Sequence, residues 1–180
     1  MEKLSCAIMG HNPQRFKFKF NEEAPLCKKI KAALQEQIEI LYSQGVRLFF
    51  VCCSVGVDTW AAEIILDLQR QKEYAEIKLF CAIPFPEHAE RFTSRQKKRY
   101  REILNNCTEK QTINNHYSPV AYKRCCYFAI DNAQNLITVY DQDKSVRNIT
   151  GTTANYAMKK NLHIVYIHPD TATVRQYCNE

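Results

Sequence analysis

Short apolar runs alternate along this chain with longer segments whose apolar residues recur every three to four positions. That alternation limits the available folds more than any other feature. Leu4–Met9, Val46–Val51, Ile77–Ile83, Leu136–Tyr140 and His163–Ile167 read as strands, with Gln111–Asn114 as a weaker one. Helical spacing runs from the Glu22-Glu23-Ala24-Pro25 start to Gly45, from Gly56 to about Tyr74, from His88 to Asn106, from Val120 to Ala133 and from Gly151 to Asn161. Most of the strands are apolar throughout, as expected for strands buried on both faces. The pattern therefore predicts an α/β fold: a Rossmann-like three-layer α/β/α sandwich with a mostly parallel sheet. At 180 residues a single domain, 1–180, is the simplest reading, with 169–180 as a C-terminal tail. Phe16-Lys17-Phe18-Lys19-Phe20 alternates like a strand but has no partner, so it reads as a loop that packs its aromatics down.

The stretch Val51–Glu63 concentrates the functional expectation. A buried strand ends, the chain turns around Gly56, and a helix begins on the spacing Val57, Ala61, Ile64, Ile65, Leu68. Free N–H groups at such a turn lie beside a helix's positive end and can meet an anion. It is neither a P-loop nor a Gly-x-Gly-x-x-Gly turn. Of the four glycines, Gly45 ends a helix, while Gly10, Gly56 and Gly151 each fall between a strand and a helix. In open α/β sheets those connections gather at the carboxyl edge, where ligands bind.

Asp58 at the helix start caps it or accepts from a ligand hydroxyl, and it would repel a phosphate placed directly on it. Phosphate then fits better near Ser54 and Gly56, or at Gly151 and Thr152, where small hydroxyl residues cap a helix or bind an anion. His11 and the Tyr140-Asp141 pair end strands at the same edge, Cys53 lies within the turn, and Arg124 with Lys123 could neutralise phosphate. Asp58 and Glu63 are the catalytic candidates. No Ser-His-Asp arrangement emerges.

No apolar run reaches the roughly 20 residues of a membrane span. Met1-Glu2-Lys3-Leu4-Ser5 lacks a signal peptide's apolar region, so the expected location is the cytoplasm. Nine cysteines are an odd count, and the adjacent pairs Cys52-Cys53 and Cys125-Cys126 do not have zinc spacing. They read as reduced, mostly buried thiols, with no metal site. The net charge of +6 is uneven, because Arg91, Arg95, Lys97, Lys98, Arg99 and Arg101 crowd one segment. That segment is a solvated face or a surface for nucleic acid.

Gly10-His11, the segment Gly56-Val57-Asp58-Thr59-Trp60-Ala61-Ala62-Glu63, Ile83-Pro84-Phe85, Arg91-Phe92, Tyr100-Arg101-Glu102-Ile103-Leu104, Lys123-Arg124, Val139-Tyr140-Asp141 and Gly151-Thr152 occur in this order. Together, over roughly 4 to 167, they resemble the YpsA family of bacterial proteins, within the SLOG superfamily that also holds DprA and LOG-type phosphoribohydrolases. The resemblance implies a Rossmann-like fold and a nucleotide or ADP-ribose-like ligand at the carboxyl edge. Gly10, His11, Cys53, Ser54, Gly56, Asp58, Phe85, Arg124, Tyr140, Asp141, Gly151 and Thr152 would surround that ligand. It brings two alternatives, N-glycosidic hydrolysis and DprA-like nucleic-acid binding through Arg91–Arg101, and leaves an oligomer open. Departures are visible. Cys52 or Cys53 stands where the family carries glycine, Arg124-Cys125 replaces an Arg-Asn pair, and Thr150-Gly151-Thr152 replaces Gly-Gly-Thr. Ala154 and Asn155 stand where LOG-type enzymes have glutamates, which weakens the hydrolase expectation.

Overall fold

The structure, a computed structural model, describes residues 4–177. In chain order the elements are β1 (Leu4–Gly10), α1 (Pro25–Ser43), β2 (Val46–Val51), α2 (Val57–Gln69), β3 (Lys78–Ile83), α3 (Ser94–Asn106), β4 (Glu109–Thr112), α4 (Ala121–Asp131), β5 (Asn135–Val139), α5 (Ile149–Lys159), β6 (His163–Ile167) and β7 (Val174–Tyr177). They form one seven-stranded sheet in the order β4-β3-β2-β1-β5-β6-β7. Every pair is parallel except β6–β7.

Side-chain alternation along β1 divides the core. Cys6 and Ile8 join Ile30, Leu34, Trp60 and Ile65 beneath α1 and α2. Ala7 and Met9 join Cys125, Ala129, Ala154 and Ala157 beneath α4 and α5. The chain steps outward from β1 to β4, then returns to lay β5 on the other side of β1. The carboxyl ends of β1 and β5 therefore flank a topological switch point.

The α/β sandwich matches the sequence pattern, while several boundaries differ. α2 ends at Gln69 and not near Tyr74, because its apolar face stops at Leu68; a short 3₁₀ turn, Lys72–Tyr74, follows. α3 begins at Ser94 and not His88. Thr93 accepts from the Gln96 N–H while the Gln96 side chain accepts from the Thr93 N–H, a capping box that sets the start. Glu22 and Glu23 precede α1 and do not lie in its first turn, although Pro25 does open it and Gly45, at φ +100°, follows its end. α5 starts at Ile149, two residues before the expected glycine, because Asn148 accepts from the Gly151 N–H and caps it. The expected tail contains β7, an antiparallel edge strand on β6. Within 16–20, Phe16 packs on Trp60 as expected, yet Phe20 is 53% exposed. Among the described residues no helix is long and apolar enough to cross a membrane.

Candidate functional site

A crevice of about 480 Å³ opens at the carboxyl ends of β1 and β2, beside the switch point. Met9, Gly10 and Asn12 reach it from the end of β1, Ser54 and Val55 from the end of β2, and Val57 and Asp58 from the first turn of α2. His88 and Phe92 enter from the connection after β3, Pro119, Tyr122 and Cys126 from α4 and its approach, and Ile149 from α5. Polar groups are few and lie on an otherwise apolar lining, as in small-molecule sites.

The turn between β2 and α2 is closed by the chain's own carboxylate. The Ser54 N–H donates to Asp58 Oδ2 at 3.0 Å, and Thr59 Oγ1 donates to the Ser54 carbonyl at 3.0 Å. The expected anion position at Ser54 is thus filled by Asp58. The N–H groups of Val55 and Gly56 have no backbone acceptor among the described residues, so any anion is better served there. Burial lifts the Asp58 carboxyl to about 7, against the pull of the Ser54 and Cys52 N–H groups. Cys53 sits at φ +59°, a left-handed conformation that suits glycine.

Each edge glycine is required by packing. A Cβ on Gly10 would meet Val57 Cγ2 at 2.6 Å, so the missing atom lets α2 cross the end of β1. On Gly151 it would meet the Tyr140 hydroxyl at 2.7 Å. On Gly56 it would meet Pro13 Cγ at 2.7 Å, at a φ of +97° that other residues rarely adopt. The three glycines were expected to mark a ligand-binding edge; the room each leaves is taken by protein atoms.

The other candidates divide. His11, Tyr140 and Asp141 come together: His11 Nε2 lies 3.4 Å from Asp141 Oδ1, and the His11 and Tyr140 rings meet edge-on at 5.3 Å. His11 is buried, which lowers its pKa, and its Nδ1 has no partner among the described residues. Tyr140, Gly151 and Thr152 line a separate cavity of about 400 Å³ beside Lys144, Arg147 and Lys159. Thr152 Oγ1 donates to the Asn148 carbonyl, an internal bond. Arg124 faces away from the crevice, into a cavity of about 340 Å³ with Asn114 and His116. Phe85 lines a chamber next to the crevice.

His88 was missed in the sequence. Its Nε2 lies 3.0 Å from the Cys53 carbonyl, which only accepts, so Nε2 carries the proton. Nδ1, 3.3 Å from the Tyr122 hydroxyl, then accepts from it. Burial lowers its pKa, consistent with that neutral form. His88 thus pins the turn to α4. The Pro84-Phe85-Pro86 stop just before it was the available signal.

Glu63 is neither free for catalysis nor simply solvated. The Arg99 guanidinium donates to Glu63 at 2.7 and 2.8 Å and to Glu22 at 2.6 and 3.2 Å, tying the approach to α1, α2 and α3 together. Glu22 is burdened by desolvation, but the donors of Arg99 and Lys31 outweigh it and bring its pKa down to about 2. Arg99→Met should cost about 1–3 kcal/mol at pH 7, less than a fully buried pair because Glu63 is 36% exposed. A depressed carboxylate contributes above its unfolded value of 4.5 and loses that contribution as pH falls towards 2. Urea unfolding should therefore show the gap between variant and wild type narrowing below pH 4.5. Equal stability at pH 7 would refute the assignment.

The basic segment is not one face. Arg91 precedes α3, Arg99 is ion-paired, and Arg95 lines a cavity of about 380 Å³ with Gly56 and Trp60. Among the described residues, eight cysteines are free thiols and no cluster of three or more His, Cys, Asp or Glu could hold a metal ion.

The signature of the YpsA family, described as the YspA SLOG family, matches residues 6–172. A UPF0398 protein of Bacillus pumilus is 29% identical over 168 residues, covering 91% of this chain and 87% of its own. One from Bacillus licheniformis is 28% identical over 140 residues, covering 76% and 74%. One from Staphylococcus aureus strain JH9 is 23% identical over 127 residues, covering 69% and 67%.

Proposed function

The chain belongs to the YspA SLOG family, and from that premise we propose that it binds a nucleotide or nucleotide-derived phosphorylated molecule in the crevice beside the switch point. One observation carries the reading. The crevice lies across the carboxyl ends of β1 and β2 and the starts of α2, α4 and α5, the place where open α/β sheets hold ligands. Asn12, Ser54 and Asp58 supply orienting polar groups, and the N–H group of Val55, which has no backbone acceptor among the described residues, supplies a donor for phosphate. Thermal unfolding in the presence of nucleoside monophosphates, NAD and ADP-ribose, with and without magnesium, tests it. A ligand at 100-fold its dissociation constant should add about 2.7 kcal/mol. No shift with any of them counts against the reading.

A second reading, cleavage of an N-glycosidic bond, rests on Asp58. Its carboxyl lines the crevice and, at about 7, holds a proton available for a leaving base. Glu63 cannot assist while Arg99 holds it. Release of free base from nucleoside monophosphates, lost in Asp58→Asn, would support this reading; its persistence in that variant would not.

A further inference from the structure

The connection from β3 to α3 carries Phe85, His88 and Phe92, and the approach to α4 with its first turn carries Tyr117 and Tyr122. With Glu87, Glu90 and Arg91 these residues line a chamber of about 600 Å³. It adjoins the crevice, because His88, Phe92 and Tyr122 line both.

The rings here meet edge to face, in contrast to two stacked pairs elsewhere in the molecule. Phe16 stacks on Phe18 at 4.9 Å and 13°, and Tyr127 on Tyr156 at 3.8 Å and 12°. In the chamber, Phe85 meets Tyr117 at 74°, Tyr122 at 84° and His88 at 86°. His88 meets Phe92 at 73°. Edge-to-face contacts use one ring's edge against another's face, and they do not consume both broad faces of every ring. Among the described residues Tyr117 has Phe85 as its one ring neighbour, and it is 61% exposed. Its ring therefore offers an exposed flat surface at the mouth of the chamber.

The rim is polar in a matching way. Glu87, Glu90 and Arg91 make no side-chain ion pair among the described residues. Carboxylates accept from an exocyclic amine, and a guanidinium donates to a ring nitrogen or carbonyl.

We propose that this chamber takes the base of the ligand whose sugar-phosphate end occupies the crevice, and that the base is a purine with an exocyclic amine, stacked on Tyr117. The proposal rests on the nucleotide reading of the crevice and adds what that reading lacks, a place for the base. Stacking of a base on an aromatic side chain contributes substantially to affinity at such platforms and tolerates any flat base.

Calorimetric titration of AMP and of ribose 5-phosphate into wild type and Tyr117→Ala tests it. Tyr117 is exposed, so the variant keeps the wild-type fold, which circular dichroism checks. Wild type should bind AMP more tightly than ribose 5-phosphate. Tyr117→Ala should weaken AMP roughly 5- to 150-fold and leave ribose 5-phosphate unchanged. An unchanged AMP affinity, equal losses for the two ligands, or equal wild-type affinities would overturn the base chamber while the crevice reading stands. Binding of neither ligand to wild type would overturn both.

Discussion

Gly56→Ala should destabilise the protein by about 2–6 kcal/mol, and Gly45→Ala should cost clearly less. Both glycines have φ near +100°, so both substitutions force an L residue into backbone that glycine adopts freely. They differ in surroundings. A Cβ at Gly45 meets only Leu4 Cδ1 at 3.8 Å, an ordinary contact. A Cβ at Gly56 meets Pro13 Cγ at 2.7 Å and Cδ at 2.9 Å, both in a ring that cannot rotate away. Strain at such a backbone costs about 1–3 kcal/mol, and overpacking adds about 1–3 kcal/mol. Urea unfolding of the two variants separates the contributions: Gly45→Ala reports the strain and the difference reports the collision. Equal losses would mean that Pro13 moves aside and the turn is not clamped. If it is clamped, Gly56→Ala shifts the turn after β2 against the loop after β1, and these two segments supply Asn12, Ser54 and Val55 to the crevice.

The parts of the molecule that could be read from sequence are those whose cause is local. β1, β2, β5 and β6 are continuous apolar runs, and each lies within one residue of its expected position. β7 was missed because Val174-Arg175-Gln176-Tyr177 is an edge strand with polar residues at its centre, paired on one side only. α3 was begun too early because the connection before it imitates a helix. His88 N–H donates to the Phe85 carbonyl, Glu90 to Glu87, and Phe92 to Ala89, repeating a three-residue spacing without a helix. The candidate site follows the same division. That Gly10, Gly56 and Gly151 matter was visible; that Val57, Pro13 and Tyr140 are what they make room for was not. Arg99 finds Glu63 and Glu22 across the fold, and His88 finds the Cys53 carbonyl the same way, so no pattern along the chain announces either. Arg124 was grouped with the crevice because its helix approaches that edge, but its position on α4 turns it to the other side.

Asp58→Asn should gain stability relative to wild type as pH rises, by about 4 kcal/mol between pH 4 and pH 8. Burial holds the folded carboxyl at about 7, against 3.8 when unfolded. A raised pKa means that the folded state keeps a proton which the unfolded state releases. The contribution is therefore fully present below pH 3.8 and is lost as pH climbs through 7. A shift of about three units corresponds to about 4 kcal/mol. Wild type alone will not display this slope cleanly. His11 and His88 are held neutral by burial, and groups lowered from 6.5 lose stability as pH falls, which opposes Asp58 over part of the window. The difference between wild type and Asp58→Asn cancels the histidines and leaves Asp58. Urea unfolding of both proteins in steps from pH 4 to pH 8 measures that difference. A flat curve would mean that the Ser54 N–H and the start of α2 keep Asp58 ionised throughout, as a simple helix-start carboxylate. The distinction bears on the crevice directly. An ionised Asp58 repels a phosphate lodged at Val55, whereas a protonated one removes that repulsion and can donate to the phosphate. Ligand affinity in wild type should then fall as pH rises through 7, with Asp58→Asn insensitive over the same range.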